Sequence, residues 1–258
     1  MKIAICFYGK FTGRNTRGET QGFQKAFKFL SKNILNQDTD IFFHGWDDNP
    51  KDSKKLLSLL SPKRYILEQQ KIFNHPYSHY SFVPNGPWNT KDYINNDYSR
   101  FYSLMKSVEL VDESYDFILV ARFDTVFYES IPFELLKPNN FYVSNWHLNK
   151  QGWGFNDAWF ISGSKVMKEY SLIFENLNSY FDIDKSAYVR FLDRHGLGLE
   201  SLPSGHALHR FRCEEMGIKD RIYAIGLEYK TWGLLRRLGQ RVDPTGFAES
   251  DINVPTRI

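Results

Sequence analysis

The chain has 258 residues, 42% apolar and 24% charged, which are ordinary globular values and exclude disordered and fibrous classes. At this length one domain, or one domain with a small appendage, buries a sizeable core without disulfides or metals. The formal net charge of +3 is too small to imply wholesale nucleic-acid binding, and aromatic residues are abundant at 17%.

Ile3, Ala4, Ile5, Cys6 and Phe7 form a continuous apolar run, the pattern of a strand buried on both faces. A Gly/Thr/Asn/Arg loop follows from Gly9 to Gly18. Then Phe23, Ala26, Phe27, Leu30 and Ile34 recur at helical spacing. A second strand is expected at Asp40–His44, a helix over Lys54–Leu60 and a third strand at Arg64–Leu67. Residues 71–96 break the rhythm; rich in Pro, Asn, His and aromatics, they read as a functional loop or an irregular insertion. A helix resumes near Asp97, with Phe101, Leu104, Met105, Val108 and Val111 on one face. The strongest strand pattern, Phe117–Ala121, ends at Arg122-Phe123-Asp124. Beyond it come a strand at Phe141–Val143, a Gly-rich loop at Gln151–Asp157 and a short strand at Trp159–Ile161. Ser164 is expected to cap a helix reaching about Asn178. Helices near 186–195 and 204–216 follow, the second stopped by Gly217, then a strand at Arg221–Ile225 and a tail.

The two cysteines, Cys6 and Cys213, show neither a disulfide framework nor a CxxC metal site, which fits a reducing compartment. No apolar run approaches the ~18 residues that cross a bilayer. The opening MKIAICFYG is too short for a signal peptide. A soluble, cytoplasmic protein is expected.

Strands alternating with helices predict an α/β protein with an open, mostly parallel sheet flanked by helices. Ligands of such sheets sit at the carboxyl ends of the strands. That rule selects Gly9–Arg17, His44–Asp48 and Arg122–Asp124. In the first, Lys10, Arg14 and Arg17 flank glycines that free backbone N–H groups to face an anion; a phosphate-bearing ligand and a plain solvated basic loop both fit. No Walker loop is present. In the third, Asp124 suits a hard divalent cation and Arg122 a phosphate, or the two close a turn as an internal pair. A further candidate is Gly152-Trp153-Gly154-Phe155-Asn156-Asp157. Trp153 offers a flat face to a sugar ring or a base, and Asp157 is placed to act as a general base or to cap an element. His44 is expected in a site wall. His206 is a candidate metal ligand, although His195, His206 and His209 each also read as structural. His75 and His79 lack metal spacing. The absence of GxSxG argues against a serine nucleophile.

The segments MKIAICFYGKFTG, DIFFHGWD, SRFYSLMKSVEL, YDFILVARFDTVFY and NDAWFISGSKVMKEY, in this order, resemble nucleotide-sugar glycosyltransferases of the GT-A fold. Within that group they are similar to small bacterial or viral enzymes of surface-glycan type. The resemblance covers about residues 1–230. It implies a catalytic domain over 1–235, with a donor-binding half to about 125 and an acceptor half over 126–235, and a tail over 236–258. It implies transfer of a sugar from a nucleotide-diphosphate sugar to a hydroxyl acceptor such as a glycan. The donor would meet Tyr8, Gly9, Thr12, Arg14, Arg100, Lys106, Arg122 and Asp124; the acceptor or sugar would meet Trp153, Gly154 and Asn156; and Asp157 would be catalytic. Where the family carries Asp-x-Asp, this chain has Arg122-Phe123-Asp124. The expected outcome is that Arg122 turns away to pair with another acid, leaving Asp124 and His206 to hold Mg²⁺ or Mn²⁺ through the diphosphate. Replacement of the metal by Arg122 and the loop cations is the alternative.

Two other readings belong to other classes. A non-catalytic sugar- or nucleotide-binding module would keep Trp153 and the basic loop without turnover. The stretch YKTWGLLRRLGQRV (229–242) carries +4 and suits contact with DNA, as in transfer to a modified base, or with an anionic membrane surface. A basic surface helix packing its leucine face on the core explains that stretch equally.

Overall fold

The computed structural model describes residues 1–12, 23–35, 38–47, 49–73, 91–112, 115–145, 153–202, 204–227, 231–234 and 255–257. Its frame is strand β1 (Ile3–Lys10). Ile3, Ile5 and Phe7 enter one core cluster, and Ala4, Cys6 and Tyr8 enter another. Alternate side chains of one strand therefore seed the cores on both faces, as the unbroken apolar run predicts.

Strand β2 (Thr39–Trp46) lies parallel to β1, and β3 (Arg64–Glu68) parallel to β2. On the other side β4 (Phe117–Arg122) is parallel to β1. Next come β7 (Trp159–Ser162), antiparallel to both neighbours, and β6 (Phe141–Asn145). Strand β8 (Ile222–Leu227) runs parallel to β6, and β10 (Thr256–Arg257) pairs antiparallel with β8 at the edge. The eight-stranded order is β10-β8-β6-β7-β4-β1-β2-β3. Strands β5 (Thr125–Phe127) and β9 (Trp232–Leu234) form a separate two-stranded sheet.

Helices α1 (Phe23–Asn33) and α2 (Pro50–Leu60) cover the face that carries Ile5 and Phe7. Helix α3 (Lys91–Glu109) covers the opposite face, setting Leu104 and Val108 against Ala4 and Cys6. Met167 and Tyr170 of α4 (Ser164–Ser171) join the same cluster. The amino-terminal half of α3 packs Ile94, Tyr98 and Phe101 against α5 (Ile173–Tyr180), α6 (Ala187–Arg194) and α7 (Gly205–Glu215) in a third, mostly helical core. This is the α/β architecture expected: an open, mostly parallel sheet flanked by helices.

The differences from the sequence reading are local. Helix α2 starts at Pro50, not Lys54, because Asn49 caps it: its side chain accepts the Lys51 N–H at 3.1 Å, with Pro at the first helical position. Helix α3 opens at Lys91, inside the stretch that reads as irregular, since Ile94 and Tyr98 extend the apolar stripe of Phe101 toward the amino terminus. The helix expected to run to Asn178 is two helices, broken at Leu172. Its N-cap is Gly163; the Ser164 hydroxyl instead donates to the Tyr115 carbonyl at 2.5 Å. In the segment that reads as a tail, Thr256 and Arg257 pair with Ala224 and Tyr223. Both cysteines are free and fully buried. Among the described residues no helix is long and apolar enough to cross a membrane.

Gly163 tests this packing. A Cβ there would stand 2.5 Å from the Pro138 carbonyl oxygen, which already accepts the Gly163 N–H at 2.9 Å. Gly-to-Ala changes at unstrained backbone usually stabilise by reducing unfolded-state entropy. Gly163→Ala is expected instead to destabilise by about 1–3 kcal/mol, the cost of overpacking, read as a lower urea midpoint at an unchanged slope.

Candidate active site

Strand register brings the site together. Tyr8 lies beside Arg122 in the β1–β4 pairing, at the carboxyl end of both strands. Because β7 runs against β4, its start lies at that same end, with Trp159 opposite Ala121. Asp157, just ahead of β7, is thereby carried to Arg122. The Tyr8 hydroxyl donates to the Asp157 carbonyl at 2.7 Å and ties this segment to β1. Helix α3 leads into β4 from the opposite end of the sheet, so its amino-terminal half lies over the carboxyl edge and delivers Asp97 and Arg100.

These residues form an alternating ladder of charge. Arg122 donates side-on to Asp124, Nε to Oδ1 at 2.9 Å and Nη2 to Oδ2 at 2.8 Å. Its Nη1 reaches both oxygens of Asp157 at 3.2 Å. Arg100 donates from Nη1 to Asp157 Oδ2 at 2.7 Å and from Nη2 to Asp97 Oδ1. The acids lie deep, with side-chain exposures of 0% for Asp97, 4% for Asp124 and 12% for Asp157. The arginine side chains are more open, at 21% for Arg100 and 20% for Arg122. Buried carboxylates thus grip two arginines whose side chains are part-exposed, a preorganised arrangement for a negatively charged or hydroxyl-rich ligand.

Electrostatics follows from the packing. Burial alone would raise the Asp157 pKa, but Arg122 and Arg100 outweigh it and hold the carboxyl well below the usual range. Asp97 goes the other way: burial, opposed by Arg100 and aided by Asp157, pushes its carboxyl up to about 7. Its Oδ2 is buried without a hydrogen-bond partner among the described residues.

The other predicted residues divide. Gly9, near the end of β1, adopts a φ of +95°, a region that glycine tolerates and other residues rarely enter. Its N–H donates to Ser103 Oγ at 2.7 Å. Thr12 is half-buried at the start of the loop, while Arg14, Arg17 and Gly152 lie outside the described residues. Lys106 is not part of the ladder; it pairs with Glu109 at 2.6 Å. Trp153 is half-buried against the helical core. A Cβ on Gly154 would stand 3.0 Å from the His206 backbone, so this glycine lets the segment lie against α7. Asn156 is buried, and its side-chain oxygen closes a turn on the Ala158 N–H at 2.7 Å. His75, His79 and the 229–230 and 235–242 parts of the basic stretch also lie outside the described residues.

His44 is fully buried rather than in a wall. Its Nδ1 meets Ser103 Oγ at 2.7 Å and its Nε2 meets Glu68 Oε1 at 2.9 Å. The order Ser–His–acid resembles a charge relay, but Ser103 is also fully buried and accepts the Gly9 N–H. The trio therefore fixes where the loop leaves β1 and offers no nucleophile to a substrate.

A divalent ion at Asp124, which the resemblance implies, does not fit these residues. Arg122 does not turn away: its guanidinium holds both Asp124 oxygens and pairs with Asp157 as well. His206 Nδ1 is engaged with the Phe155 carbonyl at 2.6 Å. Among the described residues no group of three or more His, Cys, Asp or Glu is placed to hold a metal.

Sequence reasoning missed Asp97 and Gly205. Asp97 sits three residues before Arg100, a helical spacing that signals a pair but does not show that the pair is buried. Gly205 opens α7 where a Cβ would lie 2.4 Å from Arg100 Nη1.

The chain matches no protein-family model and no curated relative. It is similar to solved structures of mouse xyloside xylosyltransferase 1 in its apo form (12% identity, 87% of this chain, 85% of that chain, TM-score 0.46). It is similar to an active-site mutant of LgtC (11%, 71%, 66%, 0.42) and to the glycosyltransferase GlyE of Streptococcus pneumoniae TIGR4 (14%, 86%, 45%, 0.40). All three TM-scores lie below 0.5, and the chemistry of this chain rests on its own residues.

The Asp97 assignment predicts a pH-dependent stability difference. With a folded pKa near 7 against about 3.9 unfolded, the native state holds the extra proton between these values. The stabilisation is full below about pH 4 and is lost as pH rises through 7. Asp97→Asn keeps the shape and removes the titration. The stability of the variant relative to wild type is therefore expected to rise from pH 4 to 7, by up to about 1.4 kcal/mol per pH unit, in urea unfolding across that range. A difference independent of pH would show that Asp97 is ionised throughout.

Proposed function

We propose that the protein transfers a sugar from a nucleotide-diphosphate donor to a hydroxyl acceptor. The observation that carries this reading is the pair of part-exposed arginine side chains, Arg100 and Arg122, locked from below by buried acids at the carboxyl edge of the sheet. In such a transfer the bond from the anomeric carbon to the diphosphate oxygen breaks, and the electron pair leaves with the oxygen. Fixed cations at that oxygen stabilise the charge as it grows without having to reorganise. The acceptor oxygen forms the new bond, and its proton passes to the departing diphosphate or to water. Tyr8, Gly9, Thr12 and Arg14 belong to the donor side in this reading, and Trp153 offers its ring to a sugar.

Asp157 takes an orienting role. An efficient general base has a pKa near the working pH, and two guanidiniums hold this carboxylate far below it. Its task is to position Arg100 and Arg122, and through them the donor. The acceptor is a glycan or another hydroxyl compound, and the reaction is carried out without the Asp124–His206 metal pair.

A nucleoside diphosphate at 100 times its Kd stabilises a fold by about 2.7 kcal/mol. It is expected to raise the Tm, and the free sugar to do so far less. Gly205→Ala is expected to keep the fold but lose most of that shift, because the new methyl displaces Arg100. If no nucleoside diphosphate or nucleotide sugar moves the transition at millimolar concentration, the donor-site reading fails.

A further inference from the structure

We propose that the Arg100–Arg122 edge is an anion site for a diphosphate-type ligand that works without a divalent ion, and that Asp97 takes up a proton when the anion binds. This rests on reading that edge as the donor site, and it resolves a conflict of charge there.

The ladder holds two guanidiniums and three carboxylates, so with every group ionised its net charge is −1. An anion docking there meets the arginines first, because their side chains are more exposed than those of the acids, yet it adds charge to a site that is already negative. A divalent cation would relieve this, but both Asp124 oxygens are occupied by Arg122. The remaining relief is a proton.

The three acids are not equivalent as proton acceptors. Asp124 is gripped through both oxygens by one guanidinium, and Asp157 through both oxygens by Arg122 with Arg100 added. Protonating either one discards several charge-assisted hydrogen bonds. Among the described residues Asp97 has one partner, Arg100, on one oxygen, and its Oδ2 is fully buried with none. A buried carboxylate oxygen left without a donor is costly as an anion and much less so as a neutral acid.

The surroundings of Asp97 allow little other compensation. Arg100 faces it from its own helix, Asp157 from the segment before β7, and Tyr188 from α6, with the Tyr188 hydroxyl directed to the Ser204 carbonyl at 3.4 Å. His206 and His209 of α7 interact with Asp157 and Arg100, and burial lowers the pKa of both. The carboxyl of Asp97 is already poised, pushed up to about 7 by burial. A proton on it brings the ladder to neutrality and leaves Arg100 shared between Asp157 and the incoming anion.

Sulfate tests this, because its own charge is constant over the range of interest. Its binding to the full chain is measured by calorimetry, in EDTA, from about pH 6 to 8. If the protonated form is the competent one, its population falls from about nine-tenths to about one-tenth over that range, and the apparent Kd weakens about tenfold. Asp97→Asn is expected to bind with no such slope, and His206→Gln to keep it. Wild-type binding that does not depend on pH overturns the proposal, as does a slope that survives in Asp97→Asn or binding that requires added Mg²⁺. A nucleoside diphosphate that binds without any pH linkage sinks this inference alone; if neither it nor sulfate binds, the donor-site reading falls too. Should Asp97→Asn fail to fold, infrared difference spectra of wild type at about pH 7.5 decide: sulfate is expected to increase the carbonyl band of a protonated carboxylic acid, and no increase overturns the proposal.

Discussion

Arg122 is a cation at the end of a buried strand, and most of its guanidinium has to be neutralised from within the protein. Leaving such a charge unpaired costs several kcal/mol. Asp124, two residues on, takes one side of the guanidinium, and Asp157, from the segment before β7, takes the other. Asp157 is in turn shared with Arg100, and Arg100 with Asp97. One strand-end arginine thus propagates into a ladder that joins α3, β4 and the approach to β7. The tie from the Tyr8 hydroxyl to the Asp157 backbone adds β1.

The sheet makes the ladder geometrically possible. In a purely parallel sheet the segment ahead of a strand lies at the amino edge, away from the ligand end. Reversing β7 brings the residue before it to the carboxyl edge of β4, where loops of open α/β sheets bind ligands. Backbone approach then sets what fits. Gly205 leaves room for Arg100, and Gly154 lets its segment lie against α7. The Glu68–His44–Ser103 network does comparable work at the neighbouring strand ends, since it holds the Gly9 N–H where the basic loop departs. Dense packing makes these fixed geometries. An arginine pinned on two sides contributes to binding with little ordering cost.

Much of this is legible in the residues. The five-residue apolar runs of β1 and β4 identify central strands because both of their faces must be buried. The change from apolar to charged at Arg122 marks the ligand edge. Arg100, Arg122, Asp124 and Asp157 are all visible as candidates. Their partners are not, because pairing across 35 or 57 residues depends on strand order and direction, which periodicity does not encode. Asp97 is hidden for another reason. An Asp three residues before an Arg on a helix is usually a solvated pair, and only the helical layer of α5, α6 and α7 makes it a buried one. The Asp-x-Asp analogy misleads on Asp124: a carboxylate held side-on by its own neighbour two residues away is a positioning group for an arginine rather than a ligand awaiting a metal.

Whether the ladder serves a donor depends on where the donor's phosphates lie. A crystal structure of the chain with a nucleoside diphosphate, grown in EDTA, tests this most directly. Phosphate oxygens are expected within hydrogen-bond reach of the Arg100 and Arg122 guanidiniums, with the bidentate contact between Arg122 and Asp124 intact. Phosphates bound elsewhere, or an Arg122 swung clear so that Asp124 faces the ligand, would contradict it.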